Sequence, residues 1–239
     1  MSDLAARVAD NLASVRERIA AAAARSGRSA SAVMLVAVTK SQPEPAIRAL
    51  LAAGCRDLGE SRPQELWAKS EALGSATTGR PIYWHLIGHL QRNKLRRTLP
   101  LVTLIHSADS LRLIQAIDAQ AHAESLMVDC LLEVNISGED AKHGLAPHEV
   151  EPLIAQLGSL KRLRVLGLMG MAALEGGSDV ARRNFAALRE LRDRLAPSFP
   201  PNVVLNELSM GMSGDFEAAI EEGATIVRVG SALFAGIDG

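Results

Sequence analysis

The chain has 239 residues, 48% hydrophobic and 22% charged, enough to bury one large core. Its 26 Lys and Arg against 27 Asp and Glu leave a formal charge of −1, which argues against nucleic acid or an anionic membrane as the main partner. Two cysteines, Cys55 and Cys130, show no CxxC or Cys/His spacing, so neither a disulfide framework nor a zinc site is suggested, and a reducing cytoplasm is the expected compartment.

The first stretch, roughly residues 3–25, is Ala-rich and amphipathic, with Leu4, Val8, Leu12, Val15 and Ile19 at helical spacing. It lacks the basic-then-apolar form of an export signal, and no window reaches ~18 apolar residues, so no membrane span is expected. From there strand-like runs alternate with helical patterns to the end. The expected strands are Val33–Val38, Arg56–Gly59, Ile82–Ile87, Val102–His106, Met127–Asn135, Leu163–Met169, Val203–Leu208 and Thr225–Val229. Between them, Glu44–Ala53, Pro63–Leu73, Arg92–Leu99, Ser110–Ala123, Pro147–Leu157, Asp179–Leu195 and Gly214–Glu222 carry helical spacing, with caps such as Ser110 and Ser178. Eight strands alternating with seven helices predict a single α/β domain over residues 1–239: a closed (β/α)₈ TIM barrel with an extra N-terminal helix. A doubly wound sheet is the alternative, and the second strand is the weakest of the eight.

The first strand raises the chemical question. Six apolar residues, Val33 to Val38, lead through Thr39 to Lys40, and Pro43 and Pro45 follow, so a lysine stands where a buried strand surfaces. In a barrel the site lies at the C-terminal ends of the strands, and phosphate is commonly held by the loops after strands seven and eight. Those loops read Leu208-Ser-Met-Gly-Met-Ser-Gly-Asp215 and Val227-Arg-Val-Gly-Ser-Ala232, both rich in glycine and hydroxyls suited to an anion. Barrel closure would bring them beside Lys40. A Schiff-base lysine next to a phosphate site is the requirement of pyridoxal phosphate, and partial desolvation would favour the neutral amine.

Plainer readings compete. A lysine beyond a strand is ordinarily a solvated rim charge, and Gly-Ser turns are ordinarily turns. Arg228, within an apolar strand end, needs a partner, and Glu207 or Asp215 is the expected one. The basic stretch Arg92 to Arg97 reads first as a solvated helix face, His85 as a hydrogen-bonded strand-end residue, and His106 and the Lys142-His143-Gly144 turn as rim groups without an assignable partner. Asp57, Asp109 and Asp129 share no metal-ligand spacing, so no metal is expected.

Several blocks give the chain a family likeness: Leu35-Val-Ala-Val-Thr-Lys40, Leu58-Gly-Glu60, Trp84-His-Leu-Ile-Gly-His-Leu-Gln-Arg-Asn-Lys94, His106-Ser-Ala-Asp-Ser110, Val134-Asn-Ile-Ser137, Gly167-Leu-Met169, Leu208-Ser-Met-Gly-Met-Ser213 and Val227-Arg-Val-Gly230. In these, from about Val33 to Gly236, it resembles the pyridoxal phosphate homeostasis proteins, which are themselves similar to the N-terminal barrel domain of alanine racemase (fold type III of the cofactor's enzymes). The resemblance implies pyridoxal 5'-phosphate as cofactor and Lys40 as its Schiff-base residue. It also implies that Ser209 or Ser213, with Gly230 and Ser231, holds the phosphate, and that Arg228 contacts the phosphate or the ring nitrogen.

The sequence departs from that pattern where Gly59-Glu60-Ser61-Arg62-Pro63 replaces Gly-Glu-Asn-Tyr, and where Gln42 replaces a second lysine; Lys142 remains as an auxiliary one. The racemase likeness implies a second base, a tyrosine from another subunit's C-terminal domain, whereas the only tyrosine here is Tyr83. The expected function is therefore buffering or delivery of the cofactor in the cytoplasm, by a monomer with little or no catalysis, apo forms of cofactor-dependent enzymes being the candidate partners. The alternatives are a weak amino-acid racemase using His85 as second base and, behind it, a Schiff-base aldolase without cofactor.

Overall fold

A computed structural model describes residues 2–74, 80–139, 143–195 and 199–237. Eight strands run β1 Met34–Val38, β2 Asp57–Glu60, β3 Tyr83–Leu86, β4 Val102–Ala108, β5 Val128–Val134, β6 Leu163–Gly170, β7 Val203–Ser209 and β8 Ile226–Val229. They pair in parallel in chain order and close, β1 pairing with both β2 and β8. The helices are α1 Ser2–Arg25, α2 Glu44–Ala52, α3 Pro63–Gly74, α4 Leu95–Thr98, α5 Leu111–Ala123, α6 Val150–Ile154, α7 Gly177–Leu195 and α8 Phe216–Glu221. This is the expected barrel with one extra N-terminal helix. No described helix is long and apolar enough to cross a membrane.

The strands read as unbroken apolar runs because both of their faces are covered. With a period of two, Ala37, Leu58, Leu86, Ile105, Leu132, Leu168, Leu208 and Val229 point outward into the main core under the helices. Val36, Leu104, Leu131, Met169 and Ile226 point inward and form a separate cluster on the barrel axis. The same alternation sends Arg228 to the inside of β8 between the outward Val227 and Val229. Helix α1 buries Val8, Leu12, Val15 and Ile19, the stripe read from the sequence, and packs against α2 and α8.

Differences from expectation are local. The weak second strand forms, one residue later at each end, and Gly59 suits it because a Cβ there would lie 2.9 Å from Val36 Cγ1. β4 runs on to Ala108. The expected helices at 92–99 and 147–157 are broken into 3₁₀ and α turns, and α8 is shorter than the span from Gly214 to Glu222. Trp67 supports α4: Arg97 and Lys94 lie 4.6 and 5.7 Å from its ring centroid, and its indole N–H donates to Thr98 Oγ1. The basic stretch is thus partly a packing surface.

Candidate functional site

A cavity of about 520 Å³ opens at the C-terminal end of the barrel, between β1, β7 and β8. That size suits a small-molecule ligand. Val38, Lys40, Ser213, Arg228, Gly230 and Ser231 are among its walls, so five of the six residues picked from the sequence come together there. Lys40 stands exposed at its mouth, since Thr39 ends the buried run of β1 and Ser41 turns the chain with a positive φ of 61°. The expected partial desolvation of Lys40 is not provided by the protein's own walls.

The two Gly/Ser loops meet. Ser213 Oγ, from the loop after β7, accepts the backbone N–H of Gly230 at 3.1 Å and that of Ala232 at 3.3 Å, both just past β8. A hydroxyl that accepts two hydrogen bonds keeps its own O–H free to donate into the cavity. The Ser213 and Ser231 hydroxyls form a compact pair of donors fitted to an anion, with Arg228 below supplying charge. The carboxylate at the start of α8 is turned elsewhere: Asp215 Oδ1 accepts the Met212 N–H at 2.6 Å. Burial is the main cause that raises the Asp215 pKa.

Ser209 is placed differently from Ser213. It is the last residue of β7, fully buried, and its hydroxyl faces the barrel axis rather than the cavity. There it accepts from Arg228 Nη1 at 2.6 Å and pairs with His106 Nδ1 at 2.8 Å. Arg228 therefore pairs with neither Glu207 nor Asp215. Its Nη2 donates to the Gly170 carbonyl at 3.1 Å, and Glu207 instead bonds Thr225. Burial lowers the Arg228 pKa to about 10, Glu133 and Asp215 opposing the shift, so it stays a cation at neutral pH.

The line of contacts continues across the barrel. His106 Nε2 lies 3.0 Å from His85 Nδ1, and His85 Nε2 lies 3.2 Å from Asp57 Oδ1. The Asp57 carboxylate can only accept, which with neutral imidazoles sets the direction of the whole series. His85 donates to Asp57, His106 to His85, Ser209 to His106, and Arg228 to Ser209. Burial, then His85 and Arg228, holds the His106 pKa well below its usual value, in keeping with that assignment. His106 is thus an interior residue, not the rim group expected, and His85 has both ring nitrogens engaged and only 1% exposure.

Three residues without an assigned role in the sequence reading sit behind Lys40. Glu60, fully buried at the end of β2, accepts from Thr39 Oγ1 and from Lys69 Nζ, each at 2.6 Å. Lys69 Nζ also donates to the Thr39 carbonyl at 2.7 Å. Glu60 Oε2 has no partner among the described residues, and Glu60 lines a second cavity of about 370 Å³ that also touches Lys40, Ser61 and Arg62. The apolar-then-acid step Leu58-Gly-Glu60 carried the available signal, since a buried carboxylate at a strand end needs partners. Lys142, the auxiliary lysine, lies outside the described residues.

Residues 11–238 match the family model of the alanine racemase N-terminal domain. A pyridoxal phosphate homeostasis protein of Aquifex aeolicus is 42% identical over 94% of this chain and 96% of its own length. The protein of that name from Escherichia coli K12 is 39% identical over 97% of each chain. The structure of PipY from Synechococcus elongatus with pyridoxal phosphate bound superposes with a TM-score of 0.79 at 33% identity, covering 95% of this chain and all of that one.

Proposed function

This chain belongs to the family of pyridoxal phosphate homeostasis proteins, and from that premise we propose that it binds pyridoxal 5'-phosphate. The cofactor is held as a Schiff base on Lys40, and the protein buffers or delivers it with little or no catalysis. One observation carries this reading: Lys40, Arg228 and the donors around Ser213 line a single cavity.

When bound, the cofactor supplies an aldehyde for reversible attachment to an amine and a ring that withdraws electrons. The residues of the chain determine how far that chemistry goes. Ser213 and Ser231 hold the phosphate, and Gly230, with no side chain, lets it approach the backbone. Lys40, free at the cavity mouth, supplies the attacking amine. Arg228 contacts the phosphate or the ring nitrogen, and in the second case a fixed cation there disfavours a protonated ring and weakens its pull on electrons. Both arrangements use the Ser209 and Gly170 contacts to hold the guanidinium in place.

Racemisation needs a second acid or base opposite the lysine. Tyr83 begins β3 at the far end of the barrel, and His85 is buried with both nitrogens occupied. Among the described residues, Lys69 is committed to Glu60 and Thr39. The working unit is proposed to be a monomer, and the two buried free cysteines suit a reducing cytoplasm. Apo-enzymes that need the cofactor are the proposed recipients.

Solvent deuterium exchange at the α-carbon of added amino acids tests the lack of catalysis. The holo-protein is expected to give exchange no faster than the Lys40→Ala variant. Robust, Lys40-dependent exchange or product turnover would show an enzyme in place of a carrier.

A further inference from the structure

Beyond the cofactor cavity, on the same rim, three side chains from consecutive βα loops converge. His89 follows β3, Asp109 follows β4 and His143 follows β5. One donor atom of each lies within 4.8 Å of the other two. We propose that these residues bind a divalent transition cation of the zinc class, with a fourth position left open. The assignment does not depend on the cofactor reading.

The donor set fits that chemistry. Two imidazoles and one carboxylate suit zinc in preference to calcium or magnesium, which take oxygen ligands. Bonds of about 2.0–2.1 Å in tetrahedral geometry place ligand atoms roughly 3.3 Å apart. His89 Nδ1 and Asp109 Oδ2 are already 3.0 Å apart, and the rings of His89 and His143 stack at 5.1 Å between centroids with an interplanar angle of 22°.

The groups behind the ligands are oriented for it. Asp109 is only 13% exposed at its side chain, and its Oδ1 accepts from Ser110 Oγ at 3.0 Å, which leaves Oδ2 turned to His89. Fixing a ligating carboxylate through its second oxygen is how metal sites hold their ligands. Gly144, at φ 111°, pins the backbone next to His143: a Cβ there would lie 2.9 Å from Asn135 N. Leu145 N–H then donates to the Glu133 carbonyl at 2.8 Å, and Asn135 N–H to the Leu145 carbonyl at 2.9 Å.

His89 and Asp109 line a cavity of about 390 Å³ that also carries Arg92 and Arg112. Those arginines favour water or an anionic group as the exchangeable fourth ligand.

The test uses the untagged full chain. Zn²⁺ is titrated in competition with a chromophoric chelator, and Co²⁺ is added in parallel to read its visible absorption. One equivalent is expected to bind with a four-coordinate Co²⁺ spectrum. His89→Gln, His143→Gln and Asp109→Asn are each expected to lower affinity at least about tenfold and to remove those bands, with circular dichroism unchanged. Absence of saturable Zn²⁺ binding would overturn the proposal, as would a His89→Gln/His143→Gln double variant that keeps wild-type stoichiometry and affinity.

Discussion

Ser209 and Ser213 show how much four positions matter at the strand end. Both are hydroxyls in one Gly-rich stretch, and composition alone treats them alike. Ser209 still belongs to β7, whose period of two turns it inward to Arg228 and His106, while Ser213 has left the strand and meets the loop after β8. Ser209→Ala should therefore cost roughly 1–3 kcal/mol in chemical denaturation, because it strands buried donors and acceptors. Ser213→Ala should cost less than Ser209→Ala, since Ser213 is only half-buried and water in the cavity can take over its two amide donors, and should weaken pyridoxal phosphate binding in a titration.

Glu133 gives a pH signature. Its carboxyl has a folded-state pKa near 7 against about 4.3 unfolded, so its contribution is full below the lower value and is lost as pH rises through the upper one. His106 works in the opposite sense, since its depressed pKa favours folding above the unfolded histidine value and loses that contribution as pH falls. The difference in unfolding free energy between wild type and Glu133→Gln isolates the first effect. It should shift by about 3 kcal/mol between pH 4 and pH 8, with wild type relatively more stable at the acid end.

At the scale of elements, the sequence carried periodicity well and pairing poorly. The apolar stripe of α1 and the two-sided burial of the strands follow from residue spacing. The broken helices at 92–98 and 147–154 do not, because the choice between α and 3₁₀ turns rests on contacts such as Trp67 with Arg97. The polar series from Asp57 to Arg228 was likewise invisible, since its neighbours sit on strands 2, 3, 4, 7 and 8 and meet only across the closed barrel. Gly167 is a further case. A Cβ there would lie 1.9 Å from the Glu207 carbonyl oxygen, at the point where β6 and β7 shift register. Gly167→Ala should destabilise the protein by ~3 kcal/mol or more, read as a lowered denaturant midpoint.

At the scale of the whole molecule, the barrel's closure converts distant sequence into one site. Lys40 and Arg228 are 188 positions apart, yet β1 pairs with β8 in a register that sets Val36 against Arg228. That closure was legible because eight strands alternating with seven helices have few architectures to adopt, and the site followed from where such barrels place their loops. The Glu60–Lys69–Thr39 group behind Lys40 was not legible, because its members lie on a strand, a helix and a turn that only packing unites. The most direct test of the central claim is the visible absorption of the protein supplied with pyridoxal phosphate, before and after borohydride, with the reduced adduct located by peptide mass spectrometry. A visible band is expected that disappears on reduction and leaves a pyridoxyl group on Lys40. A protein that stays colourless, or an adduct on another lysine with Lys40 unmodified, would contradict it.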